Sequence, residues 1–203
     1  MIIAMETAFV LGGFNLNTTA TCDAYAPLRK RLAAKGYQVV AADISWRRKL
    51  PSQYLKEFME LYEANRTDRN IVIGNSFGAV IALLAASRIG ADALYLCSLS
   101  PYFKEDKDRP PDAAHEVRIF GKRRLEELRS YSADELAAQI TDTKVYVLYG
   151  EGEHKTCPPL VARCIETAAK IKGARLLEIP RAPHDMSDPI YTNALLDLMP
   201  PAS

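Results

Sequence analysis

A single stretch of the sequence, residues 71–81, restricts what the chain can fold into more than any other. It reads IVIGNSFGAVI, in which β-branched apolar residues are followed by the spacing Gly-x-Ser-x-Gly and then by helix-forming residues at 79–86. Apolar β-branched residues are typical of a buried strand, and the glycines that follow are typical of a sharp turn. The stretch therefore predicts a strand, a tight turn and a helix in direct succession.

Ser76, at the centre of that turn, is the candidate nucleophile. A reactive serine has to stand clear of its own backbone, so the turn that carries it is tight and strained. Side chains two positions before and after the serine would collide there, and Gly74 and Gly78 remove the collision. The helix that follows points its positive end toward any negative charge that develops near the serine. The alternative is a strand–helix junction in which these residues carry no chemistry.

The remainder of the chain alternates between strand-like and helix-like segments. Strands are predicted at residues 7–11, 37–44, 93–99, 144–149 and 175–179, and helices at residues 25–34, 51–65, 157–172 and 191–198. Such alternation predicts an α/β fold, with a mainly parallel, twisted sheet that helices cover on both faces. A length of 203 residues fits a single domain, residues 1–203. Functional groups are then expected at the carboxyl ends of the strands.

Composition argues against several classes of function. The formal net charge is +1, which gives no reason to expect a nucleic acid or an anionic membrane as a partner. The three histidines and four cysteines include no C-x-x-C motif and no closely spaced His/Cys pairs of zinc type, so we expect no metal, no cofactor and reduced thiols. The apolar N-terminal residues lack a basic region and are interrupted by Glu6, and no stretch has transmembrane length. The expected compartment is therefore the cytoplasm.

Four segments together resemble the small α/β hydrolases. They occur in the order typical of that family and span nearly the whole chain: Leu11-Gly12-Gly13-Phe14, Gly74-Asn75-Ser76-Phe77-Gly78, Gly150-Glu151-Gly152-Glu153 and Pro183-His184-Asp185. Hydrolases of this fold present a serine, an acid and a histidine in that order along the chain. The resemblance also implies that residues 101–143 form a short cap or lid insertion, with residues 125–140 helical, as one helix or as two that meet near residues 130–132.

The resemblance assigns the catalytic roles. Ser76 would be the nucleophile, His184 the general base, and Glu153 the acid that orients the histidine. Glutamate stands here where aspartate is commoner in the family. Other residues remain open as the base or the acid: His115, His154, Glu151, Asp185 and Asp188.

The resemblance also implies an oxyanion hole, formed by the backbone N–H groups of Phe14 and Phe77. Gly12 stands where a histidine is common in the family. One further group could contact an anionic substrate or could be a solvated helix face: Arg118, Lys122, Arg123, Arg124 and Arg129.

The function expected from these residues is hydrolysis of small carboxylic esters or thioesters through an acyl-enzyme on Ser76, with a small-molecule acyl substrate as the partner. Acyl transfer or amide hydrolysis would use the same intermediate. A binding protein of the hydrolase fold that has lost turnover is the alternative from a different class.

Overall fold

Six parallel strands form one sheet at the centre of the protein. The computed structural model describes residues 5–13, 24–42, 49–109 and 120–202. The strands are β1 (Glu6–Leu11), β2 (Gln38–Ala42), β3 (Arg69–Asn75), β4 (Ala93–Cys97), β5 (Lys144–Gly150) and β6 (Arg175–Ile179). Their spatial order is β2-β1-β3-β4-β5-β6, and every neighbouring pair is parallel. The expected α/β class is confirmed.

Eight helices occur in the described residues. They are α1 (Ala26–Ala34), α2 (Pro51–Asn65), α3 (Phe77–Ile89), α4 (Lys122–Leu128), α5 (Ala133–Ala138), α6 (Glu153–Thr156), α7 (Pro158–Lys170) and α8 (Pro189–Asp197). The segment expected to be helical at 125–140 is thus two helices, α4 and α5. The short helix α6 was not predicted. None of these helices combines the length and apolar character needed to cross a bilayer.

Helices cover both faces of the sheet because the strand side chains on both faces are apolar. Phe9 and Leu11 of β1 pack in one buried cluster with residues of α2, α3 and α7. Ala8 and Val10, which alternate with them, pack in a second cluster with residues of α1 and α8. Apolar residues at successive positions are typical of parallel strands buried on both sides.

The order in which successive strands are added to the sheet reverses after β2. From β1 the chain passes to β2 at one edge of the sheet, and it then returns to place β3 on the other side of β1. In open α/β sheets, ligands bind at such a switch point, outside the carboxyl ends of the strands. The loops that follow β1 and β3 therefore border the expected site.

The connection between β4 and β5 contains the proposed cap. Residues 98–109 and 120–143 of this connection are described, and they include a 3-10 turn at Lys104–Asp106 and the helices α4 and α5. Residues 110–119 lie outside the described residues. That residues 101–143 act as a lid stays a prediction.

Candidate active site

Ser76 occupies a strained turn between β3 and α3. Its φ is 54° and its ψ is −112°, a backbone conformation that costs a non-glycine residue about 1–3 kcal/mol. A Cβ atom on Gly74 would lie 2.5 Å from the backbone carbonyl oxygen of Gly78, so glycine is required there because of the backbone of the turn rather than because of a side chain at position 78. A Cβ on Gly78 would instead lie 2.3 Å from the carbonyl oxygen of Leu11, so the close approach of β1 also requires glycine there.

Three side chains from three loops form a hydrogen-bonded line at this turn. His184 Nε2 lies 3.2 Å from Ser76 Oγ, and His184 Nδ1 lies 2.5 Å from Glu153 Oε1. Since a carboxylate oxygen accepts, Nδ1 carries the ring proton and Nε2 is left to accept from the serine. Glu153 is fully buried, whereas the His184 side chain is 45% exposed. The structure thus brings together the three residues expected to act in catalysis.

The second carboxylate oxygen of Glu153 is held from two sides. The backbone N–H of Gly150 donates to Oε2 at 2.7 Å, and Ser98 Oγ donates to the same atom at 3.0 Å. A buried carboxylate is costly unless hydrogen bonds replace its water. These two bonds supply that replacement and leave Oε1 for His184.

The loop that carries Glu153 lies directly against the loop that carries His184. A Cβ on Gly150 would lie 2.4 Å from the carbonyl oxygen of Ala182, so only glycine allows this approach. The backbone N–H of Gly152 donates to the same carbonyl at 3.0 Å. The glycine at the end of β5 therefore has a structural reason, which is the contact between the two loops.

Glu151 has a different position from Glu153. Its Oε2 accepts the backbone N–H of Arg181 at 2.7 Å, in the loop after β6. Arg181 has a φ of 61°, a left-handed backbone conformation that is rare for residues other than glycine. Glu151 therefore braces a strained turn, while Glu153 contacts the histidine.

The remaining alternatives are placed elsewhere. Asp185 accepts hydrogen bonds within its own turn, and Asp188 caps the first turn of α8. His154 is exposed, with Nε2 3.0 Å from Glu178 Oε2. His115 lies outside the described residues.

Two serines that the sequence analysis did not single out border the site. Ser100 is buried, and its Oγ lies 3.0 Å from Ser76 Oγ. Ser98 contacts Glu153 as described and has a φ of 53°. Both follow β4, which is adjacent to β3 in the sheet, so their position after a strand was the signal that could have identified them.

The backbone groups expected to form the oxyanion hole are described only in part. Phe77 is the first residue of α3, where N–H groups precede the helical hydrogen-bond ladder. Phe14 lies outside the described residues, but the preceding residue, Gly13, is described. A Cβ on Gly13 would lie 3.3 Å from Ser76 Cβ, so the loop after β1 lies directly against the serine.

The basic residues of α4 line a cavity together with Phe120, whose ring contacts Phe77, the residue after Ser76. The cavity has a volume of about 540 Å³, and its lining includes Phe120, Arg123 and Arg124. The Phe120 ring stacks on Phe77, with 4.8 Å between centroids. Arg123 is also exposed to solvent. Both uses expected for this basic group, as an anion contact or as a solvated face, remain predictions.

No cluster of three or more His, Cys, Asp and Glu side chains in the described part of the chain is arranged to bind a metal ion.

Comparison with solved structures identifies the architecture. An α/β hydrolase from a sediment metagenome of the lagoon of Mar Chica, Morocco, matches with a TM-score of 0.66 and 18% identity, over 96% of this chain and 90% of that chain. An enol-lactonase from Burkholderia xenovorans matches with a TM-score of 0.64 and 17% identity, over 97% and 92% of the two chains. The fold is that of the α/β hydrolases. A bromoperoxidase from Bacillus anthracis shares this α/β-hydrolase fold, with a TM-score of 0.68 and 12% identity over 95% and 91% of the two chains.

The TM-scores and coverages establish the α/β-hydrolase fold, while identities this low leave the reaction open, because one fold hosts many chemistries. No protein-family profile matches the sequence, and no curated protein sequence does. The activity therefore has to be argued from the site.

Proposed function

We propose that this protein is a serine hydrolase that cleaves small carboxylic esters or thioesters through an acyl-enzyme on Ser76. One observation carries the proposal: the hydrogen-bonded line from Ser76 Oγ through both ring nitrogens of His184 to the buried carboxylate of Glu153. A serine hydroxyl is a weak nucleophile until a base accepts its proton, and the base needs an anion to orient it. The three groups meet both needs.

In the acylation step, Ser76 Oγ attacks the carbonyl carbon of the substrate and its proton passes to His184 Nε2. Glu153 holds the imidazole by Nδ1–H and stabilises the positive charge that the ring acquires. The histidine then gives the proton to the departing alcohol or thiol, and the acyl group remains on Ser76.

In the deacylation step, His184 Nε2 takes a proton from water, which attacks the acyl carbonyl. Collapse of the second tetrahedral intermediate returns the proton to Ser76 Oγ and releases the carboxylic acid. The exposed side of His184 gives the water access to the base.

In both steps, the backbone N–H groups of Phe77 and Phe14 would stabilise the oxyanion. The Gly13 N–H is already donated to the Tyr25 hydroxyl, which favours the next residue, Phe14, as the donor from this loop. Preorganised donors of this kind are worth about 3 kcal/mol each in other enzymes.

The geometry favours turnover over a binding role without catalysis. A fully buried carboxylate that holds a histidine within hydrogen-bonding distance of a serine is the arrangement that nucleophilic catalysis requires, and a binding role alone does not call for it. The hydrolases among the structural neighbours are consistent with the proposal but do not identify the substrate. A cytoplasmic location stays a prediction.

A fluorophosphonate probe tests the proposal, because it labels only an activated serine rapidly. Intact-mass measurement should find one label on the parent and none on Ser76→Ala. Ser100→Ala is the matched control. It removes a neighbouring hydroxyl, whose Oγ lies 3.0 Å from Ser76 Oγ but which is not the proposed nucleophile, so the label should remain in place. Equal labelling of Ser76→Ala would refute the assignment.

A panel of p-nitrophenyl esters of rising chain length then identifies the acyl preference. Hydrolysis should require Ser76, and His184→Ala should lower kcat on the order of a thousandfold with an unchanged circular dichroism spectrum. Repeating the assay with an added alcohol or amine acceptor distinguishes acyl transfer from hydrolysis by the product formed.

A further inference from the structure

We propose that Tyr25 and Asn75 are positioning residues, which hold the glycine loop after β1 against the nucleophile Ser76. The inference rests on the proposed function, because it gives these side chains a part in the same site. It starts from a bridge between the two segments: Tyr25 Oη donates to Asn75 Oδ1 at 2.8 Å and accepts the backbone N–H of Gly13 at 3.2 Å.

The bridge is made of buried groups that depend on one another. Tyr25 is 7% exposed and Asn75 is 3% exposed, so neither can exchange its partner for bulk water. Burial, only partly offset by the hydrogen bond from Gly13, raises the pKa of Tyr25 to about 12. The phenol therefore stays protonated at neutral pH and remains able to donate to Asn75 while it accepts from Gly13.

The other end of Asn75 is fixed on the neighbouring strand. Asn75 Nδ2 donates to the carbonyl oxygen of Cys97 at 3.4 Å, and the backbone N–H of Ser76 donates to the same oxygen at 2.8 Å. This arrangement also sets the orientation of the Asn75 amide, since its oxygen faces a hydroxyl donor and its nitrogen faces a carbonyl. Tyr25 thereby connects the loop to the same point of β4 that anchors the nucleophile.

The loop that this bridge holds has little freedom to move without changing the site. A Cβ on Gly13 would lie 3.3 Å from Ser76 Cβ and 3.4 Å from Asn75 Oδ1. Gly13 directly precedes Phe14, the donor proposed for this side of the oxyanion. Because the Gly13 N–H is directed at Tyr25, the phenol fixes the orientation of the Gly12–Gly13 peptide, which immediately precedes the peptide that carries the Phe14 N–H. Displacements of about 1 Å at such donors can cost a hundredfold in rate.

The substitution Tyr25→Phe removes the bridge with the smallest change in volume. We expect kcat for a p-nitrophenyl ester to fall about tenfold or more while KM stays within about twofold, because oxyanion donors act in the transition state. The affinity for a trifluoromethyl ketone, which forms a tetrahedral adduct with an active serine, should fall by the same factor as kcat/KM. A purely structural role for Tyr25 would move neither quantity.

Tyr37→Phe is the matched control. Tyr37 belongs to the same buried cluster, is 4% exposed, and donates one hydrogen bond to the carbonyl oxygen of Pro200 at 2.8 Å. Its loss should lower Tm about as much as the loss of the Tyr25 hydroxyl, but kcat and the ketone affinity should remain within about twofold of the parent.

Asn75→Ala tests the other end of the bridge and should reproduce the loss in kcat. The double variant should lose less than the product of the two single losses, because both changes break one connection. If the parent is active and Tyr25→Phe leaves both kcat and the ketone affinity unchanged, the positioning role is refuted and the proposed function is not. A rise in KM at constant kcat would refute the positioning role too. A parent that neither hydrolyses esters nor takes the probe on Ser76 would refute the proposed function, and this inference with it.

Discussion

At the scale of single residues, the position of Glu153 in the chain explains how a glutamate fits where aspartate is commoner. Glu153 is the first residue of α6 and lies three positions after Gly150. Its Oε2 turns back to the N–H of Gly150, while Oε1 reaches His184. An aspartate at this position would be shorter by one carbon–carbon bond, about 1.5 Å, and could not keep both contacts without movement of the loop.

The roles of the two glutamates can be separated by kinetics. Glu153→Gln should lower kcat at least about a hundredfold with little change in KM, because the histidine loses the anion that orients it. Glu151→Gln should cost less than about fivefold, since Glu151 braces the turn at Arg181. Glu153→Asp keeps the charge and should lie between them.

Steady-state kinetics on all three variants, with circular dichroism to monitor folding, checks this prediction. A damaging Glu151→Gln beside a harmless Glu153→Gln would contradict it. If neither change mattered, Asp185 and Asp188 would be the next carboxylates to mutate.

Spacing along the chain was sufficient to predict some residues of the candidate site and not others. Ser76, His184 and Glu153 each follow a strand at a spacing known from the α/β hydrolases, so the sequence pattern identifies them. Tyr25 and Asn75 are 50 positions apart in the sequence, and no local pattern predicts their contact. Contacts that only the assembled sheet creates cannot be read from the separate segments.

At the scale of elements, the 3-10 turn after β4 is tied to α7 by a buried ion pair. Arg163 is fully buried, and its Nε and Nη2 donate to the carboxylate of Asp106 at 2.7–3.1 Å. Asp106 also accepts the backbone N–H of Phe103 at 3.0 Å. The pair therefore fixes the first part of the proposed cap segment on the body of the fold.

Removal of one member of this pair should be strongly destabilising. Asp106→Asn removes the buried carboxylate and leaves Arg163 only the more exposed carboxylates of Glu166 and Asp134, at 3.3 Å and 3.8 Å. We therefore expect a loss of about 3 kcal/mol in the free energy of unfolding, at the lower end of the cost of breaking a buried pair. The matched control is Glu60→Gln, which breaks an exposed pair with Lys56 and should cost less than about 1 kcal/mol. Urea denaturation of both variants measures the difference, and similar losses would contradict the structural role of the buried pair.

Element prediction succeeded where one helix carries its own signal. The apolar stripe of α2 recurs at three- and four-residue spacing, and the helix was predicted with its observed limits, Pro51–Asn65. The four residues of α6 are too short for such a stripe. Its place follows from the contacts of Glu153 and Gly152 with the neighbouring loop, which are tertiary.

At the scale of the whole molecule, two buried cysteines lie on opposite faces of the sheet. Cys97 of β4 belongs to the cluster beneath α1 and α8, and Cys164 of α7 belongs to the cluster on the opposite face. Both are fully buried, and that burial raises the pKa of each thiol. In the folded protein they are therefore protonated at neutral pH and shielded from reagents. Cys157 is partly exposed, and Cys22 lies outside the described residues.

Alkylation along a urea gradient can show whether the two faces unfold together. If the sheet and both helix layers form one cooperative unit, Cys97 and Cys164 should become reactive to iodoacetamide with the same urea midpoint. That midpoint should coincide with the loss of circular dichroism. Mass spectrometry of peptides after a short pulse of reagent at pH 7.5 measures each site separately, and Cys157 serves as the control that should react well below the transition. A lower midpoint for Cys164 would mean that α7 and its face open before the sheet unfolds.

Because the raised thiol pKa favours the folded state only while the unfolded thiols stay protonated, the shared midpoint should also fall as the pH rises above about 8.5.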